Sequence, residues 1–151
     1  MREIHKILVP VDFSEDSQRA LDEAIGLAKH FGAELIVFHC YQIPIPSIGG
    51  VPYDTIPPAS YVDAVRKAAL QGVEQYRDKA IAQGVRAQEQ ISAGSPGSEI
   101  AALAEKSGAD LIVMGTRGLT GLRHVLLGSV AERTIRLARC PVLTVKEGAA
   151  D

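Results

Sequence analysis

The chain has 151 residues, enough for one domain with its own core, so it requires no disulfide or metal staple. It is 46% hydrophobic and 23% charged with a formal net charge of −2, which leaves no electrostatic footprint for nucleic acid or an anionic membrane. No apolar run approaches the about 20 residues that span a bilayer, and the opening MREIHKILVPVDFS turns charged too soon for a signal peptide, so a cytoplasmic location is expected.

The first apolar run is KILVP, Lys6–Pro10. Ser14 then predicts a helix cap, with Leu21, Ala24, Ile25 and Ala28 on one face to about His30, and Gly32 as the stop. Asp12, Glu15 and Asp16 read as a solvated acidic cluster at the helix start, where the dipole favours negative charge, rather than as an acid–base pair. The second run is ELIVFHC, Glu34–Cys40; its His39 reads as a satisfied interior histidine, while His5 and His30 read as surface residues.

Gln42–Ser60 follows, with five of the eight prolines, too long for an ordinary connector. It reads either as a lid or partner-contact loop, or as a merely mobile one. Val62, Val65, Ala69, Val73, Tyr76 and Ala80 step by three or four through a helix ending near Gly84. VRAQEQI, Val85–Ile91, alternates and predicts an edge strand.

Ser95-Pro96 opens a third helix with Ile100, Leu103 and Ala104 inward and Gly108 beyond its end. DLIVMG (Asp110–Gly115) and PVLTVK (Pro141–Lys146) are further compact strands, separated by a helix that Ser129-x-x-Glu132 would start as a capping box. Cys40 and Cys140 stand at strand ends with neither C-x-x-C nor zinc spacing, and are expected as buried reduced thiols.

Alternating strands and helices imply an α/β fold over residues 1–151, a single doubly wound domain whose five-stranded parallel sheet has the expected order 3-2-1-4-5. Such sheets bind ligands outside the carboxyl ends of the strands where the order reverses, here beyond Val9 and beyond Met114.

GTRGLTGLRHVLLGS, Gly115–Ser129, occupies that place. It contains neither G-x-x-x-x-G-K-[ST] nor G-x-G-x-x-G. What stands is G-x-x-G, nine residues, then G-S: Gly115, Gly118, Gly128 and Ser129. Gly118 can take a positive φ or let a ligand approach the backbone. Gly128 and Ser129 would bring free N–H groups at a helix N-terminus, a setting that favours an anion. Arg117, Arg123 and His124 are close in sequence and could screen phosphate oxygens. A tight structural turn with a capping box explains the same residues, and physics alone leaves the two readings level.

The sequence resembles the universal stress protein family over nearly its whole length. KILVPVDFSEDSQRALDEAIGLA is similar to that family's first strand and helix, and DLIVMGTRGLTGLRHVLLGSVAERTIRLARCPVLTVK to its more specific C-terminal half. Nucleotide-binding members carry G-2x-G-9x-G-[ST], and Gly115, Gly118, Gly128 and Ser129 match every fixed position. The resemblance implies a Rossmann-like fold of the adenine nucleotide α-hydrolase type and ATP as ligand. It places Asp12 by the ribose and phosphates, reaching a Mg²⁺ ion, and Pro10 and Val11 in the adenine pocket. The Cys40 backbone would meet the adenine edge, with Met114 packed nearby and Arg117 and Val130 joining the glycine loop. Each has a plainer reading: Asp12 can turn the chain before Ser14, and Cys40 and Met114 can be packing.

The resemblance also implies a homodimer through the last strand, Val142–Val145. No G-x-S-x-G nucleophile motif is present, and no residue is evident for positioning water, so any ATP hydrolysis is expected to be slow. The function expected is an ATP-dependent signalling or switch module in the stress response. The alternatives are a nucleotide-independent dimeric interaction module and, behind it, a weak ATPase.

Overall fold

A computed structural model describes residues 2–44, 47–48, 51–52, 56–118 and 126–147. Five strands form one parallel sheet: β1 Lys6–Pro10, β2 Glu34–Tyr41, β3 Ala87–Ala93, β4 Leu111–Gly115 and β5 Val142–Val145. Their order is β3-β2-β1-β4-β5, the reversal falling between β1 and β4. The helices are α1 Glu15–Phe31, α2 Ala59–Ala82, α3 Pro96–Ser107 and α4 Ser129–Leu137.

The three central strands alternate their side chains between two cores, as a sheet covered on both faces requires. Ile7, Val9, Leu35, Val37 and Val113 face α1 and α2, where Leu21, Ala24, Ile25 and Val73 meet them. Leu8, Ile36, Phe38, Ile112 and Met114 face the other way, onto Ile100 and Ala104 of α3 and Ala131 of α4. Each such side chain stabilises the fold by about 1.5–3 kcal/mol on burial. Register places Pro10 beside Phe38, and Met114 and Gly115 beside Thr144 and Val145, so the strands end together along one rim.

Several helix ends behave as their residues dictate. Ser14 caps α1 by accepting from the Ser17 N–H, and Gly32 closes it at φ 68°. Pro96 stands in the first turn of α3, and Gly108 closes that helix at φ 68°. α2 starts at Ala59, earlier than its apolar stepping indicates, because its first turns bury none of their side chains. The third strand runs Ala87–Ala93 rather than Val85–Ile91, and lies at the sheet edge as its alternation predicts.

The capping box at α4 is a correction. Gly128, not Ser129, is the cap residue, and it has no side chain with which to cap the helix start. Glu132 donates its N–H to the Gly128 carbonyl and sends its carboxylate 2.6 Å to Arg136, so it does not reach back. Within 42–60 the described residues include a short antiparallel ribbon of Ser47–Ile48 with Val51–Pro52. The reading of this segment as a lid rests in part on residues 45–46, 49–50 and 53–55, which lie outside those described. Among the described residues, no helix is long and apolar enough to cross a membrane.

Candidate functional site

The end of β1 is fixed one atom at a time. Val11 donates its N–H to the Phe38 carbonyl at 2.8 Å, extending the ladder past the strand. Its own carbonyl accepts from Nδ1 of His39 at 2.7 Å, which assigns the proton to that nitrogen and accounts for His39 inside the fold. Asp12 Oδ1 accepts from the Ser14 N–H at 3.0 Å and from the Ser14 hydroxyl. Between them Phe13 sits at φ 66°, a left-handed conformation that costs a bulky residue about 1–3 kcal/mol. Asp12 therefore turns the chain with one oxygen and leaves Oδ2 on the side of the glycine loop.

Across the reversal, Thr116 ties the end of β4 to β5 by donating to the Val145 carbonyl at 3.1 Å. Its carbonyl accepts from the Gly128 N–H at 2.6 Å, which closes the glycine segment and sets the start of α4 beside β4. A Cβ on Gly128 would come within 3.0 Å of that carbonyl oxygen. A Cβ on Gly115 would stand 2.8 Å from Cβ of Asp16, and one on Gly118 would stand 2.6 Å from Oδ2 of Asp12. Gly118 has no positive φ, so its glycine is needed for space, not for backbone conformation.

These pieces enclose a cavity of about 390 Å³ outside the carboxyl ends of β1 and β4. Pro10, Val11, Asp12, Cys40, Met114, Gly115, Arg117, Gly118, Gly128, Ser129 and Val130 all line it. Ser17, Phe38, Pro96, Ile100, Thr116 and Ala131 line it as well. With Glu132 the first residue bonding back into α4, the N–H groups of Ser129, Val130 and Ala131 have no intrahelical partner, and all three residues line the cavity. Their partial positive charge is the positive end of the helix dipole there.

The charged side chains are arranged differently from their sequence reading. Asp16 is not solvated: its side chain is only 6% exposed. It accepts from Nη1 of Arg19 at 2.9 Å and Nε of Arg117 at 3.3 Å. Arg117 also reaches Glu147 at 3.6 Å, so its guanidinium is engaged by two carboxylates although the residue lines the cavity. Arg123 and His124 lie outside the described residues.

Cys40 and Cys140 are both free and half-buried rather than buried. Burial pushes both thiols above the usual range; at Cys40 the Glu99 charge adds to this while a hydrogen bond with Ser92 opposes it. Among the described residues no three His, Cys, Asp or Glu side chains gather as a metal cage. Asp12 is the one acidic side chain in the cavity wall among the described residues, and its Oδ2 is a hard oxygen donor. A single carboxylate suits Mg²⁺, which keeps several waters and takes its remaining ligands from phosphates.

Residues 3–146 match the model of the universal stress protein family. The chain belongs to that family. Among curated relatives, universal stress protein MJ0531 of Methanocaldococcus jannaschii is 39% identical over 145 residues, covering 94% of this chain and 82% of the relative. Universal stress protein YxiE of Bacillus subtilis is 37% identical over 149 residues, covering 94% and 99%. The solved structure of hypothetical protein MJ0577 superposes with a TM-score of 0.77 at 28% identity, covering 99% of this chain and 100% of that one. A universal stress protein solved in complex with cAMP matches with a TM-score of 0.70 at 27% identity, covering 95% and 98%.

Sequence reasoning about this universal stress protein overlooked part of the cavity wall. Phe38 and Ile100 were visible only as core residues, since apolar periodicity does not tell a core wall from a cavity wall. Pro96 reads from the sequence only as a helix start, and Ser17 carries no sequence signal of its own. The Asp16–Arg19 spacing of three residues did carry a signal for the ion pair, because positions i and i+3 share a helix face.

Proposed function

We propose that this universal stress protein binds ATP in the crevice between the ends of β1 and β4, and acts as a nucleotide-dependent switch in the stress response. The observation that carries the reading is the set of three N–H groups, on Ser129, Val130 and Ala131, that have no partner among the described residues and belong to residues lining the same cavity as Asp12. Backbone donors at a helix N-terminus favour phosphate, and the glycines clear the space for its approach. Phe38, Ile100, Met114, Pro10 and Val11 supply apolar surface for a base, and the cavity volume falls in the range of about 300–1,000 Å³ usual for small-molecule sites. The relative solved with cAMP supports an adenine nucleotide as the ligand class.

Asp12 Oδ2 would hold Mg²⁺, which supplies charge neutralisation for the phosphates. Arg117, engaged by Asp16 and Glu147, holds the loop and leaves phosphate binding to the backbone. Among the described wall residues Asp12 is the one carboxylate, and it is engaged by Ser14 and assigned to the metal rather than to water, so turnover of ATP is slow and the bound state is the output. A second reading, a nucleotide-independent dimeric module working in the cytoplasm, draws on Leu143, which is 38% exposed on the edge strand β5.

Calorimetric titration of nucleotide-stripped protein with ATP and Mg²⁺ decides between them. Binding near micromolar, about −8 kcal/mol, supports the switch. No heat at millimolar ATP overturns it and leaves the dimeric module.

A further inference from the structure

We propose that Phe13 is a positioning residue for Asp12, acting from the opposite layer of the sheet. The inference deepens the nucleotide reading and rests on it for what Asp12 contacts. Phe13 is the one non-glycine residue with positive φ among those described, and it stands directly between the cavity acid and the cap of α1. A glycine would adopt this conformation freely, whereas a phenylalanine holds it only where its surroundings compel it.

Those surroundings belong to the α1/α2 layer. The Phe13 ring lies 4.5 Å from the His39 ring and 5.6 Å, edge-on, from Tyr76 of α2. Gly72, one turn earlier on α2, makes the slot: a Cβ there would be 2.5 Å from Cζ of Phe13. Neither Gly72 nor Tyr76 lines the cavity. His39, meanwhile, holds the carbonyl of Val11 at 2.7 Å, so the residue before Asp12 and the residue after it are gripped by the same aromatic group. With the ring seated, the chain crosses from one layer to the other at Asp12, and the carboxylate stays bonded to the Ser14 N–H at 3.0 Å with Oδ2 against the loop. Alternation past β1 already puts residues 12 and 13 on different layers; the left-handed φ at Phe13 is what turns the chain back so that the Ser14 N–H and hydroxyl meet Oδ1 of Asp12.

The test uses the full chain with Phe13→Gly, which keeps the left-handed conformation accessible, and Gly72→Ala, which fills the slot without touching the cavity. Each is made alone and with Asp12→Ala, and ATP with Mg²⁺ is titrated calorimetrically. Each single variant weakens ATP by about fivefold or more, and neither weakens it further once Asp12 is alanine, the non-additivity expected of residues acting as one unit. Equal losses in both backgrounds, or an Asp12→Ala protein that binds ATP like the parent, overturn the proposal. Hydrogen exchange at the Ser14 amide in the nucleotide-free protein gives a second readout. It speeds up in both variants while exchange in β1 is unchanged. A Ser14 amide as protected as in the parent overturns the positioning role even where no form of the protein takes up ATP, the outcome that sinks the nucleotide reading itself.

Discussion

Asp12 and Gly118 meet so closely that a methyl group on Gly118 would lie 2.6 Å from the carboxylate oxygen Oδ2. The contact is with the far end of a side chain, but that side chain is held at its other oxygen by Ser14, so it has little freedom to withdraw. Gly118→Ala therefore displaces the carboxylate and narrows the crevice while leaving the core untouched. The expected outcome is an ATP affinity weakened by roughly tenfold, about 1.4 kcal/mol, with a thermal midpoint within a degree or two of the parent. Calorimetry and a melting curve check it, and a large fall in stability would show the glycine to be structural.

Asp16 and Arg117 carry the opposite expectation. The carboxylate is almost enclosed, and Arg19, Arg117 and Thr116 are its partners. Asp16→Ala removes charge-assisted bonds worth about 1.5–3 kcal/mol each and leaves two arginines facing one another, although their part exposure reduces the cost. Urea unfolding is expected to show about 2 kcal/mol lost, with a smaller loss for Arg117→Lys, which keeps the charge but not the Nε bond. Stability at the parental value would mean that water replaces the network at no cost.

Which of these contacts a reader could have found in the sequence follows from what patterns record. The five strands, their order and the crevice were legible because buried parallel strands leave short β-branched runs, and the chain rarely departs from alternating connections. The glycine spacing marked the loop, and Ser14 and Gly32 marked the first helix. The rest depends on contacts between residues distant in sequence. Asp16 looks solvated because Arg117 lies 101 residues away. Phe13 carries no signal in the sequence, because nothing local declares a left-handed φ. Ser129-x-x-Glu132 looks like a capping box because the pattern cannot tell that Arg136 takes the glutamate and Thr116 takes the glycine N–H.

The two cysteines allow a test of which end of the sheet the ligand occupies. Cys40 lines the cavity, whereas Cys140 precedes β5 at the other end of the strands. Burial disfavours the thiolate at both, so each alkylates more slowly at pH 8 than a free cysteine, and the rate climbs as pH rises toward the elevated native value. The sign for stability follows: the unfolded thiol ionises first, near pH 8.5 in order of magnitude, about its ordinary value. The thiols' contribution is thus complete below that pH and is lost as pH rises through the higher native value. Saturating ATP is expected to slow iodoacetamide labelling of Cys40 and leave Cys140 unchanged, followed by peptide mass spectrometry. Protection of Cys140 instead would place the ligand elsewhere.

The edge strand β5 separates assembly from ligand binding. One of its sides pairs with β4; among the described residues no strand pairs with the other, and Leu143 of this strand is 38% exposed, with Ile135 and Leu137 of α4 each 45% exposed. An apolar open edge of this kind invites a second strand, and the homodimer proposed through Val142–Val145 would supply one. Leu143→Lys places a solvated ammonium on that edge and is expected to shift the sedimentation of the protein from dimer to monomer. The cavity wall ends at Met114–Gly118 and the start of α4, and none of it comes from β5. ATP affinity is therefore expected to survive in the monomer. A monomer that has lost ATP binding would mean that pairing at β5 reaches the crevice through Val145, whose carbonyl holds Thr116 at 3.1 Å and so the end of the glycine segment.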